Sequence, residues 1–334
     1  MTSPSASLLA NVPKWLEPSV ASLRAARAAG RLPHALMIHD TVGGGGDWLA
    51  EWVASLAMCL SPHDAPCGKC LGCTRVANNQ HPDLVRVHPI EESKQLRIEQ
   101  VRELAQELSL TSHQGGYKVG LLSPADSMNR FAANALLKTL EEPPARTLLI
   151  LVATQPSRLP ATIMSRCQKL KVRAPSRAES IGWLQATRGA GDWAGVLDVI
   201  GDAPFLAADV DPKAIPALGS ETRRALEEIE AGAADPVATA ERWHRSETGL
   251  RLKCFENWLT DRIRHQFGAG ASGEIRSATH LPRGLSIMNI RALFELAESV
   301  RDLRSSLDVP LNRSLALELL FRRLASHRHA SSRG

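Results

Sequence analysis

Every stretch that reads as a β-strand in this chain lies before Pro175, and none follows it. Ala35–Ile38, Leu84–Val87, Lys118–Leu122 and Thr147–Val152 are short apolar runs. The last is unbroken, as a strand buried on both faces requires. Between them, Trp48–Cys59, Ile98–Leu108 and Asn129–Glu142 repeat apolar residues at helical spacing, and Pro143-Pro144 stops the third. Strands alternating with helices imply a mostly parallel sheet. Beyond Pro175, Ser176 and Glu179 form a capping box, and helical patterns occupy 177–208, 220–231, 236–267, 287–305 and 313–327. Asp209–Pro216 reads as a linker, Gly268–Gly284 as a polar loop and His327–Gly334 as a frayed end. The expected layout is an α/β domain over 1–175, a small helical domain over 176–210 and an all-α domain over 211–334.

Composition narrows the function classes. At 334 residues and 44% hydrophobic the chain can bury several cores, and 22% charged residues argue against wholesale disorder. A formal charge of +5 is only a mild bias toward polyanions. Met1–Pro13 lacks the basic start and apolar run of a secretory signal, and no stretch is long enough for a membrane span. The expectation is a cytoplasmic protein that meets no membrane.

Four of the six cysteines fall within 15 positions: Cys59, Cys67, Cys70 and Cys73, spaced C-x7-C-x2-C-x2-C. Four thiolates satisfy tetrahedral Zn²⁺ and leave no coordination position for water, so a structural zinc module over about 59–80 is expected. Gly68 and Gly72 allow the tight turns this spacing needs. An iron–sulfur cluster is the rival, but the Cys-Pro that continues ferredoxin runs is missing. His63 or His81 could replace one ligand. Cys167 and Cys254 stand apart.

The strand at Ala35–Ile38 leads into Gly43, Gly44, Gly45 and Gly46, followed by a helix. Strand, glycine loop and helix open many nucleotide-binding domains. A working phosphate loop continues with Lys and Ser or Thr, which grip phosphate and Mg²⁺. Asp47 and Trp48 stand there instead. A carboxylate repels triphosphate, and an indole cannot ligate a metal.

Lys118–Pro144 reads KVGLLSPADSMNRFAANALLKTLEEPP. It resembles the Walker B strand and following helix of bacterial clamp-loader ATPases, a family of AAA+ proteins, and Asn134–Pro144 matches without interruption. Ser165-Arg166-Cys167 is similar to the family's S-R-C motif, and His34-Ala35-Leu36 and the inserted cysteines also fit. The later helices carry the likeness more faintly, chiefly at Val309–Arg313. The resemblance implies an AAA+ domain with an inserted zinc module, a helical lid domain and an all-α collar that joins subunits. Ser123 and Pro124 occupy the Walker B Asp-Glu positions, and Phe205 aligns with a sensor arginine. These departures imply a subunit that neither binds nor hydrolyses ATP. By resemblance, Arg166 would reach across an interface as an arginine finger in trans, a role suited to an always-charged guanidinium. The implied setting is a replisome at the bacterial nucleoid. There a five-subunit ring with motor (gamma/tau) and delta subunits loads a sliding clamp onto primed DNA.

Two rivals belong to other classes. A self-sufficient AAA+ ATPase is opposed by Asp47, Ser123 and Pro124. A zinc-containing DNA-binding protein would need a dense basic patch, yet only Lys69, Arg75 and Arg86 lie near the cysteines. Arg301, Arg304, Arg322 and Arg323 read as a solvated helix face, and Trp183, Trp193, Trp243 and Trp258 as core.

Overall fold

A computed structural model describes residues 11–90, 95–268, 290–307, 309 and 312–326. The chain forms two compact units, Met1–Trp183 with Ala203–Phe205, and Leu184–Asp202 with Leu206–Gly334.

The first unit is built on a five-stranded parallel sheet. Its strands are β1 (Ala35–His39), β2 (Leu84–Val87), β3 (Lys118–Leu122), β4 (Thr147–Ala153) and β5 (Gln168–Lys171), in the order β2-β3-β4-β1-β5. Helices α1 (Glu17–Ala28), α2 (Gly46–Met58), α3 (Leu71–Ala77), α4 (Ile98–Ser109), α5 (Arg130–Glu141) and α6 (Ala161–Met164) connect them.

Strand β4 shows why the sheet needs cover on both faces. Leu148, Ile150 and Val152 join a core containing Trp52, Leu49 and Leu56 of α2. Leu149, Leu151 and Ala153 join a second core with Leu104 of α4 and Leu136 of α5. Side chains alternate across a strand, so an all-apolar run feeds two cores at once. Gly120 in β3 lets α4 close onto the sheet, since a Cβ there would lie 2.9 Å from Leu104 Cδ1. The four strands read from sequence are present. The fifth, β5, is a polar edge strand, QKLK, with an exposed pattern and no apolar run to mark it.

Residues near the second unit's border form α7 (Arg177–Arg188), α8 (Trp193–Ile200) and α9 (Pro204–Ala207). The expected capping box starts α7: Ser176 N–H donates to Glu179 Oε2 at 2.8 Å, and Glu179 N–H returns to Ser176 Oγ at 3.3 Å. The second unit continues with α10 (Ala214–Glu230), α11 (Pro236–Arg245), α12 (Thr248–Gly268), α13 (Ile290–Ser305) and α14 (Arg313–Ser326). Trp243, Phe255 and Phe321 pack together at its centre.

Two sequence expectations shift here. The helix read over 236–267 is two helices, because Ser246 is extended and Glu247 takes a positive φ of 53°. The linker read at Asp209–Pro216 is shorter, since α10 begins at Ala214. Beyond Gly268, the expected polar loop lies outside the described residues, as do His327–Gly334 and part of Val309–Arg313. Among the described residues no helix is long and apolar enough to cross a membrane.

Candidate functional sites of the α/β unit

The glycine loop runs from the carboxyl end of β1 to α2, the place where open α/β sheets hold ligands. Gly45 caps α2 at φ 109°, a conformation that requires glycine. The loop's own neighbours fill it. Gly46 N–H donates to Asp40 Oδ2 at 2.6 Å, and Cβ atoms added at Gly44 or Gly46 would lie 2.6 Å from Asp40 atoms. Asp40 is 6% exposed. Its carboxylate sits at a helix N-terminus, where the backbone amides of Gly46, Thr41 and Gly45 favour negative charge. Burial outweighs those donors, with Asp47 adding repulsion, and pushes the Asp40 carboxyl up to about 6.

Aromatic side chains close the same loop. Trp15 Nε1–H donates to Gly44 O at 2.7 Å, and Phe205 N–H donates to Gly43 O at 3.1 Å. The Phe205 ring lies directly against Gly45, so a Cβ there would run into it. Trp183 stacks on Phe205 with centroids 4.6 Å apart, while Trp15 and Trp48 flank it at 6.3 and 6.5 Å. Trp183, read from sequence as core, is therefore part of this cover. Asp47 Oδ1 accepts a hydrogen bond from Ser123 Oγ at the end of β3, so the residue after the glycine run and the residue after that strand satisfy each other. Pro124 follows Ser123, so neither residue just after β3 carries a carboxylate.

The cysteine module follows α2. Cys59 ends that helix, and Cys70 caps α3 by accepting Cys73 N–H. The Sγ atoms of Cys59, Cys67, Cys70 and Cys73 all lie within 4.8 Å of one another, with Cys59 and Cys70 at 3.9 Å. Zn–S bonds of about 2.3 Å in a tetrahedron set sulfurs about 3.8 Å apart, so the cage fits. Amides of Leu60, Ser61, Cys67, Cys70 and Cys73 each donate to a sulfur at 3.4 Å. Burial raises the Cys59 and Cys73 thiols, while the amides of Cys73 and Leu60 help to bring Cys70 down to about 6 despite its burial. His63 and His81 are not among the clustered ligands. Gly72 is required, because a Cβ there would collide with the Met58 carbonyl. Arg86 anchors the module by pairing with Glu51 of α2 at 2.6 and 2.8 Å and reaching Val76 O of α3. One of the three basic residues near the cysteines is thus committed internally.

Arg166 lies just after α6, 36% exposed. Its Nη2 pairs with Glu141 Oε1 at 2.8 Å, and Nη1 donates to Thr162 O at 3.1 Å. The preceding Ser165 is within 3.4 Å of Nη1, and the next residue, Cys167, is buried, its thiol pushed by burial to about 11. The guanidinium is therefore held at the surface by weak, solvent-screened contacts.

Asp40 and Trp15 escaped sequence reasoning. The carboxylate's closeness to the loop depends on the turn at Thr41–Gly44, and Trp15 arrives from a separate segment. An acidic residue just ahead of a glycine run was the only available sign.

A parallel sheet with a glycine loop at its carboxyl edge and an inserted four-cysteine cage defines an AAA+ domain of the clamp-loader type. Residues 16–176 match the family described as DNA polymerase III, delta subunit. The chain is 33% identical over 268 residues to the DNA polymerase III subunit delta' of Pseudomonas aeruginosa, covering 78% of each. It is 37% identical over 171 residues to the Escherichia coli delta' subunit, about half of each chain. A solved gamma subunit-related protein from Thermotoga maritima shares the fold, with TM-score 0.51 and 14% identity over 92% of this chain and 99% of that one. The chain belongs to the DNA polymerase III delta' subunit family, and is a clamp-loader subunit.

Proposed function

We propose that this chain is the non-hydrolysing stator of the clamp loader. It lends Arg166 to a neighbouring motor subunit's ATP site while the sliding clamp is loaded onto primed DNA. One observation carries the reading: the glycine loop is filled by Asp40 and covered by Phe205. Its amides face a resident carboxylate, its carbonyls accept Trp15 and Phe205, and no lysine is present to draw in phosphate. A pocket so closed neither binds nor turns over ATP, which leaves the chain a role in assembly. The gamma/tau motors and a delta subunit complete the five-membered ring in the bacterial cytoplasm, beside the nucleoid. Zn²⁺ would be held by Cys59, Cys67, Cys70 and Cys73, supplying the positive charge that lets four thiolates pack together.

The exposed Arg166 supports the finger role. Its pair with Glu141 is an exposed ion pair of the kind worth about 0–1 kcal/mol, so a γ-phosphate could replace it readily. The test is steady-state ATP turnover by the reconstituted loader carrying Arg166→Ala. The expected result is a fall in DNA- and clamp-stimulated turnover by about the neighbouring site's share, because the other motor sites continue, although such a finger is worth ~10³–10⁵ at the site it serves. Unchanged DNA- and clamp-stimulated turnover would reject the finger.

A further inference from the structure

Four thiolates around one divalent ion leave an excess of negative charge, so such a cage depends on the groups that surround and orient its ligands. The amides that point at the sulfurs come from the module itself. From outside it, Arg86 ties down the side that carries α3. The other side is the stretch 59–67, which wraps the Cys59 sulfur with the amides of Ser61 and Cys67. It contains no helix or strand, so nothing regular holds it in place.

Two arginines of α1 do so instead. Arg24 and Arg27 are three positions apart and share one face of that helix. Arg27 Nη2–H donates to Cys59 O at 2.6 Å, and Arg24 Nε–H donates to Ala65 O at 3.3 Å. The Arg24 guanidinium also lies over the Trp52 ring, 5.3 Å from its centre, which fixes its direction. Cys59 and Ala65 are both buried. Cys59 ends α2, so its carbonyl has no partner within the helix, and the last turn of α2 contains no basic residue. Arg27 supplies the missing donor. Because Asp83 lines the same cavity, Arg27 is not a lone cation, and what it gives the cage is the bond to Cys59 O.

We propose that Arg27, aided by Arg24, is a positioning residue of the metal cage, keeping its Cys59 side closed and setting how fast the ion leaves. The inference rests on the reading that the four cysteines hold Zn²⁺. When the two carbonyls are let go, the stretch 59–67 parts from α1, and the Cys59 and Cys67 sulfurs leave the ion first. Cys70 and Cys73 stay with α3, which Arg86 still anchors.

The test uses the full-length chain, purified with its metal and assayed for zinc. Transfer of zinc to an excess of a chromophoric chelator is timed for the parent, Arg27→Met, Arg24→Met and Arg27→Lys. A parallel run with iodoacetamide marks each cysteine as it is freed, read by peptide mass spectrometry. Arg27→Met keeps the stem and loses the donors, and should speed release about tenfold or more, the weight usual for partners that orient metal ligands. Arg24→Met should act in the same direction and less strongly, and it carries the test should Arg27→Met fail to take up zinc. Arg27→Lys keeps a donor and should recover most of the parent's rate. Early label in the Met variants should fall on Cys59 and Cys67 ahead of Cys70 and Cys73, whereas a general loosening would mark all four together. A parent without zinc would defeat the cage itself. A zinc-bearing parent matched in release rate by both Met variants, no recovery with lysine, or even labelling of the four cysteines would overturn the role of Arg27.

Discussion

Asp40→Asn should stabilise the α/β unit at neutral pH, although it removes a residue that hydrogen-bonds at 2.6 Å. The native carboxyl titrates at about 6 against an ordinary 3.8, and burial is the main cause. The folded state therefore holds the proton more tightly than the unfolded state. The Asp40 contribution to stability is greatest below about pH 4, falls as pH rises toward 6, and is level above that. At about 1.4 kcal/mol per pH unit between the two values, the ionised carboxylate costs about 3 kcal/mol at pH 7.5. Asparagine keeps an oxygen for Gly46 N–H and loses the charge, so a gain of about 1–3 kcal/mol is expected, shrinking by about half at pH 5. Urea unfolding followed by tryptophan fluorescence at pH 7.5 and pH 5 measures both gaps, with Trp15 and Trp48 reporting from the loop. An Asp40→Asn protein less stable than the parent at pH 7.5 would refute the reasoning. It would show that the amides over-compensate burial and that the loop favours its anion.

Gly45→Ala should destabilise the same unit by about 2 kcal/mol or more, since the residue has φ 109° and faces the Phe205 ring; an unchanged urea midpoint would contradict the packing described. Gly72→Ala should lower bound zinc below one equivalent, because its Cβ meets the Met58 carbonyl between two ligands. Stripping zinc from the parent with a chelator should lower its melting temperature, as binding energy there is folding energy. Metal analysis of fresh protein checks both, and zinc-free protein that melts unchanged would defeat the module.

How much of this was legible in the sequence depends on range. Four buried strands announce themselves because a run such as Thr147–Ala153 must be apolar to feed two cores. Strand β5 does not, because an edge strand is free to be polar. The cysteine cage was readable because its ligands are close in sequence and their chemistry is narrow. That no Lys follows the glycine run and no Asp-Glu pair ends β3 is plain from the sequence, but the contacts of the residues standing there are not. Asp47 meets Ser123 across 76 positions, and Trp15, Trp183 and Phe205 come from three distant segments to cover one loop. Such pairings are set by tertiary packing, which local pattern does not encode. The break at Ser246–Glu247 was missed for the opposite reason, since apolar spacing continues through it and only an extended Ser246 and a positive φ at Glu247 interrupt the helix.

The most direct measurement is calorimetric titration of Mg-ATP into the purified, zinc-loaded chain. A loop already holding Asp40 and Phe205 should give no saturable heat up to about 1 mM nucleotide, a bound of about −4 kcal/mol on any affinity. Micromolar binding that competes with the Phe205 cover would contradict the account at its root.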